Sequence, residues 1–276
     1  MVGRCIISFD CESGWGMLDR LESVDTDELT IDRLGSVYDK ILALLERYDV
    51  PATFAFVGAF TLPLEEFELN WYELVRKSDL HRSWMEAVLH DITNGNAEDW
   101  FQPRLIDAVK NNSVEHELTS HGFTHLDWSI EDREAIEIEV DGIKAWSEFH
   151  NLSPKTFIFP RNQIGHLEQL KKLGIGGYRD RPICDRFNGI LAKFLSYSKE
   201  LNVLQRSQPS DAAFQNGLVK IPGDFFLNWR SGLRRLVPKS VTVKRFGSAL
   251  THASNTEGLV HLWSHPHNFI SSPDHF

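Results

Sequence analysis

Short apolar runs alternate along the chain with longer segments whose apolar residues recur every three or four positions. Cys5-Ile6-Ile7-Ser8-Phe9 opens as a strand. Ile31, Leu34, Tyr38, Ile41, Leu42, Leu45 and Tyr48 then share one face of a helix, which Pro51 stops near Val50. Thr53-Phe54-Ala55-Phe56-Val57, closed by Gly58, is the compact β-type run of a strand buried on both faces of a parallel sheet. A strand ends at Leu118-Thr119-Ser120, Ser129 offers an N-cap, and Ile130 to Phe149 reads as a long amphipathic helix. Thr156 to Phe159, a helix through Leu170, Ile175 to Tyr178, Leu218 to Ile221 and Leu259 to Trp263 continue the alternation. About seven strands separated by helices or long connections predict an α/β fold with a parallel sheet, open or closed into a barrel. Residues 60–113, with Trp71, Trp84 and Trp100, show short helical patterns and no clean strand, the mark of an insertion suited to a lid. No repeat and no linker rich in Pro, Gly or Ser divides the chain, so residues 1–276 are expected to form one domain.

Composition narrows the picture. The 276 residues are 42% hydrophobic and 25% charged, enough for a sizeable core and unlike a disordered or fibrous chain. A net charge of −10 repels phosphate backbones and anionic lipid surfaces, which argues against nucleic acid as a partner. Cys5, Cys11 and Cys184 are widely spaced and contain no CxxC pair, so neither a disulfide framework nor a cysteine zinc site is indicated. The stretch from Thr53 to Leu64 falls short of the roughly 20 residues of a membrane helix, and Asp10 arrives too early for a secretory segment. A soluble, cytoplasmic protein is the expectation. The chain stops at Phe276, soon after His265, where a barrel would normally carry another helix, and the sequence does not say whether it is trimmed there.

In such folds chemistry gathers in the loops beyond the carboxyl ends of the strands. The first strand ends Asp10-Cys11-Glu12, and alternation of faces lets both carboxylates point toward one site, where a metal or an acid/base pair offsets their repulsion. The third ends at Ser120 and is followed by His121 and His125, ligand spacing if the segment makes a helical turn. Two imidazoles and a carboxylate form a facial set that leaves positions open for water and substrate. A zincin protease needs glutamate directly after the first histidine, where Gly122 stands, so that reading is disfavoured. Arg161 follows the fourth strand and can hold a carboxylate ionised through a bidentate pair. His265 ends the last strand at the rim, whereas His261, deeper in the strand, suits a buried structural role.

Taken together these residues resemble the polysaccharide deacetylase superfamily, metal-dependent deacetylases of the NodB-homology type. Ser8-Phe9-Asp10-Cys11-Glu12 is similar to the family's first motif, Val50 to Gly58 to its second strand, and Ser120-His121-Gly122-Phe123-Thr124-His125 to its histidine motif. Pro160-Arg161-Asn162 and Trp263-Ser264-His265-Pro266 resemble the later arginine and histidine motifs. The resemblance spans roughly residues 4–270 outside the insertion. It implies a deformed (β/α)7 barrel, with Asp10 as general base, Glu12, His121 and His125 as ligands of one divalent metal ion, zinc by preference, Arg161 positioning Asp10, and His265 as general acid. The family's commoner first motif carries two aspartates, whereas here Cys11 intervenes and the second carboxylate is glutamate. Cys11 is the alternative ligand if Glu12 points away, and a thiolate would favour zinc. No clear counterpart of the family's aspartate and tryptophan motif precedes the last strand; Gly223-Asp224 is a fragment at most.

Trp15, Trp128 and Trp263 lie beside these motifs; their faces suit apolar sugar faces, although packing is the commoner use of such residues. Arg179, Asp180 and Arg181 follow the fifth strand and are either recognition groups for an anionic sugar or phosphate or a solvated cluster. The resemblance implies a metal-dependent hydrolase that removes an acetyl group, N-linked by preference, from a sugar in polysaccharide or surface-glycan biosynthesis. With a cytoplasmic location, its partner would be an acetylated sugar or glycan intermediate, such as a nucleotide- or lipid-linked sugar. Two other readings stand beside it: hydrolysis of another non-peptide C–N bond, and a non-catalytic saccharide-binding module.

Overall fold

The computed structural model describes residues 3–21, 30–181, 212–228 and 236–270; Cys184 lies outside them. The chain runs β1 (Arg4–Cys11), α1 (Ile31–Arg47), β2 (Thr53–Phe56), then five helices, α2 (Leu64–Asn70), α3 (Tyr72–Lys77), α4 (Asp79–Trp84), α5 (Glu86–Asn94) and α6 (Pro103–Lys110). It continues with β3 (Glu117–Ser120), α7 (Arg133–Phe149), β4 (Thr156–Phe157), α8 (Leu167–Lys172), β5 (Gly177–Arg179), β6 (Ala213–Gln215), β7 (Leu218–Ile221), β8 (Phe225–Phe226), α9 (Lys239–Thr256) and β9 (Leu259–Ser264).

The strands form one sheet in the order β6-β7-β5-β4-β3-β2-β1-β9-β8. Every pairing is parallel except β6 with β7. All seven strands expected from the pattern are present, and β6 and β8 add short edges. The sheet and its helices are those of a deformed (β/α)7 barrel, and among the described residues no pairing joins β6 to β8.

Register decides where the functional side chains emerge. Phe9 lies beside Ser264, and Cys11 beside Phe56, which in turn lies beside Ser120. The residues that follow these strands, Glu12, His121 and His265, therefore leave the sheet at one edge. Alternation along β1 divides its side chains between two faces. Phe9 packs on Phe54 with ring centroids 5.1 Å apart, and Tyr38 of α1 covers Phe54. Cys11 lies on that side with Tyr38, and Asp10 and Glu12 lie on the other.

The helix predicted from Ile31 is α1, burying Leu34, Val37, Tyr38, Ile41, Leu42 and Leu45. The helix expected after Ser129 begins later. Asp132 caps it, accepting from the Ala135 amide at 3.0 Å, while Ser129 is bound by Asp127 in the preceding turn. The insertion is helical as expected, but its helices share the main core instead of standing over it as a separable lid: Phe67, Val75, His81, Val88 and Ile106 are fully buried. Phe67 and Trp71 pack on Phe123, between the two site histidines. No helix among the described residues is long and apolar enough to cross a membrane.

Close packing of α7 on Phe123 gives a stability test. A Cβ on Gly142 would meet the Phe123 ring at 2.2 Å. Gly142→Ala gains roughly 1 kcal/mol of helix propensity but overpacks a closed core. The expected outcome is a net loss of up to about 2 kcal/mol in urea unfolding.

Candidate active site

Asp10 and Glu12 are 2% and 6% exposed, so each buried carboxylate needs compensating charge. Asp10 receives it from Arg179, at the end of β5, whose two terminal nitrogens each donate to one carboxylate oxygen at 2.6 Å. Arg179 also donates to the Asn162 side-chain oxygen at 3.0 Å, and its guanidinium lies 3.8 Å from the centroid of the Trp263 ring. Burial pushes the Asp10 carboxyl up, but Arg179, with help from His121 and His265, outweighs it and holds the group below the usual carboxylate range.

The expectation that Arg161 positions Asp10 is therefore corrected. Arg161 forms an ion pair with Asp19 at the surface and lies 4.8 Å from the centroid of the Trp84 ring. The turn Pro160–Asn162 explains the exchange: Arg161 and Asn162 both have positive φ, 53° and 55°, which swings Arg161 outward while Asn162 stays buried. Arg179, expected to face substrate, is only 2% exposed and committed to Asp10.

Glu12 receives imidazoles. Its Oε2 lies 3.1 Å from His121 Nε2 and 2.8 Å from His125 Nε2, and its Oε1 lies 3.3 Å from His265 Nε2. Burial raises the Glu12 carboxyl, yet His265, His125 and His121 together hold it well below the usual range. Burial lowers His121, but Glu12 and Asp10 reverse this and leave it raised; His125 ends lowered, with burial dominant.

The two histidines do not meet through a helical turn. Gly122 and His125 take positive φ of 81° and 64°, and this reversed turn brings the rings to 4.8 Å between centroids. Any side chain at position 122 would face the strained backbone region and press Pro160 at 2.9 Å.

Glu12, His121 and His125 bring three ligand atoms within 4.8 Å of one another, all on buried residues. The donor set fits a divalent cation. His121 Nδ1 donates to the Ile158 carbonyl at 2.7 Å, so Nε2, which faces Glu12, is the nitrogen that would offer its lone pair to a cation once deprotonated. Two imidazoles and one carboxylate are a catalytic set with open positions. Glu12, His265 and His267 form a second group within the same distance, so Glu12 sits between two histidine pairs. His267 stacks on His265 at 5.0 Å, and burial, reinforced by His265, pushes it down to about 3.

Cys11 is not placed to coordinate. It lies on the helix side of β1, and burial, with Asp10 and Glu12 adding to it, pushes its thiol well above its ordinary value. His261 is buried as expected: its Nδ1 donates to the Pro222 carbonyl at 2.7 Å, so Nε2 accepts from the Ser8 hydroxyl at 2.8 Å. Trp15 and Trp128 are fully buried. The Trp15 indole donates to the Trp100 carbonyl at 2.8 Å, and Trp128 packs on Phe157. That corrects the expectation of sugar platforms, since neither ring leaves a face for a ligand. Asn162, His267 and Glu139 were not singled out from sequence. Asn162 and His267 had a readable signal in their places next to Arg161 and His265, whereas Glu139 looks like any polar position on α7.

Comparison with known proteins bears on the family. Residues 24–175, more than half the chain, match the family described as Polysaccharide deacetylase. Among solved structures, a candidate polysaccharide deacetylase from Mycobacterium smegmatis overlays with a TM-score of 0.56 at 15% identity, over 97% of this chain and 78% of that one. The Xyl-CE4 domain of a multidomain xylanase from the hindgut metagenome of Trinervitermes trinervoides gives 0.37 at 15% identity, over 99% and 92%. No curated protein matches the chain. The chain belongs to the polysaccharide deacetylase family and is a hydrolase acting on carbon–nitrogen bonds.

Proposed function

We propose that the chain is a metal-dependent deacetylase that hydrolyses an N-linked acetyl group on a sugar of polysaccharide or surface-glycan biosynthesis. The observation that carries this reading is the division of two carboxylates two residues apart between unlike partners, Asp10 with a guanidinium and Glu12 with imidazoles. Glu12, His121 and His125 would hold one divalent ion, zinc by preference. Such an ion supplies Lewis acidity toward an acyl oxygen and makes water more acidic.

The protein's own groups then have distinct tasks. Asp10, kept ionised by Arg179, takes the proton of the attacking water. Its second oxygen lies 3.9 Å from both His121 Nε2 and His265 Nε2, so it stands between the ligand pair and the rim. His265, partly exposed at the carboxyl end of β9, is placed to give a proton to the departing nitrogen. Its ring is fixed by Trp263, Phe226 and His267. Arg179 acts through Asp10 and is a positioning residue. An acetylated sugar or glycan intermediate is the proposed substrate, with free amine and acetate as products.

Four substitutions test these roles. Glu12→Ala is expected to abolish retention of added zinc, measured by elemental analysis after desalting, whereas Cys11→Ala retains it. Arg179→Lys keeps a charge but loses the bidentate geometry; acetate release is expected to fall on the order of 10²-fold in kcat with zinc content unchanged. Arg161→Ala, which breaks an exposed pair, should stay within about fivefold of the unsubstituted enzyme.

A further inference from the structure

Apart from Glu12, which lies 2.8 Å from its Nε2, His125 has no side-chain hydrogen-bond partner to aim it among the described residues. Metal-binding histidines nearly always donate their second ring nitrogen to a carboxylate or carbonyl, as His121 does to Ile158. The Nδ1 of His125 is buried and finds no such partner among the described residues. Its direction must come from the backbone of the reversed turn and from ring packing.

That turn is held on every side. Its carbonyls are taken by the residues after β2, with Gly58 donating to the Gly122 oxygen at 2.9 Å and Ala59 to the Phe123 oxygen at 2.8 Å. Its amides are taken by one side chain, Glu139 of α7, which is fully buried. The Phe123 amide donates to Oε2 at 2.7 Å, the Thr124 amide to Oε1 at 2.8 Å and the Thr124 hydroxyl to Oε1 at 2.6 Å. The Trp128 indole approaches Oε2 at 3.4 Å. Isolated burial would neutralise such a group, yet these donors and His81 hold Glu139 below its ordinary range and therefore charged.

The insertion supplies the remaining support. His81 of α4 is fully buried and places Nε2 3.5 Å from Glu139 Oε1. Its Nδ1 lies 3.0 Å from the Ser78 hydroxyl, and Ser78 Oγ already accepts from the His81 amide. The tautomer with Nε2–H is the one that suits the Glu139 carboxylate, and in it the Ser78 hydroxyl donates to Nδ1. Three residues on, the Trp84 indole donates to the Thr124 carbonyl at 2.8 Å, and its ring lies nearly parallel to His125 at 6.2 Å.

We propose that Glu139 is a positioning residue of the cation site, and that through His81 it makes α4 of the helical insertion part of that site. The inference rests on the proposed cation at Glu12, His121 and His125. Its consequence is that metal affinity depends on a carboxylate that touches none of the ligands.

The test compares unsubstituted protein, Glu139→Gln and His81→Leu, each stripped of metal and titrated with zinc against a chromophoric chelator. Glu139→Gln puts an amide donor against a backbone donor of the turn. Zinc affinity is expected to fall about 10–100-fold, with faster amide exchange at Phe123 and Thr124. His81→Leu should weaken zinc in the same direction by less, and it decides the matter if Glu139→Gln does not fold. Variants that melt at lower temperature but bind zinc as tightly as unsubstituted protein would overturn the inference and leave Glu139 a structural residue. If the unsubstituted protein itself binds no zinc, the cation reading falls and takes this inference with it.

Discussion

Two carboxylates buried two residues apart at the end of one strand cannot both stay ionised unless positive charge or a strong hydrogen-bond donor meets each of them. Much of the site's construction follows from that requirement. It draws Arg179 in from β5 and His121 and His125 from the turn after β3, and it brings His265 to the end of β9. The parallel register makes the meeting possible: β9 adjoins β1, β3 is separated from β1 by one strand and β5 by three, and their carboxyl ends lie along one edge.

The compensation is deliberately unequal in its chemistry. A guanidinium stays protonated, holds both oxygens of Asp10 and leaves that carboxylate available only to accept a proton. Imidazoles can give up their protons and offer lone pairs instead, so under the proposed function a cation would replace the charge facing Glu12. Pairs of titratable groups whose surroundings set them apart are how one site can separate a base from a ligand. Trp263 covers the open face of Arg179, and the buried His261–Ser8 contact lies behind it on β9 and β1. Rigidity on the Asp10 side thus comes from the sheet, and on the Glu12 side from a turn that must be propped from outside.

Seven of the nine strands and their order along the chain, the helical insertion and the residues leaving β1, β3 and β9 were legible in the sequence, because hydrophobic period reports burial directly, whereas the short edges β6 and β8 were not. Which arginine faces Asp10 was not legible. Arg161 and Arg179 both follow strands, and only the left-handed turn at Arg161 and Asn162 separates them. The histidine pair was legible as a pair, but not the backbone that joins it, since spacing of four residues suits a helical turn as well as the reversed turn at Gly122 and His125. Trp15 and Trp128 sit beside the motifs in sequence and behind them in space, a distinction that requires knowing which face of each segment is buried. Glu139 illustrates the hardest case: a glutamate on an amphipathic helix reads as solvated, and only the fold shows four donors converging on it.

The central claim is that Glu12, His121 and His125 bind one cation while Asp10 remains outside its coordination sphere, held by Arg179. The most direct measurement is a crystal structure of zinc-loaded protein with anomalous data at the zinc edge. The account predicts an anomalous peak about 2.0–2.2 Å from the Glu12 carboxylate and from the Nε2 atoms of His121 and His125, with the Asp10–Arg179 pair intact. A peak bound by Cys11 or Asp10 in place of Glu12, or no peak among these residues at saturating zinc, would contradict it.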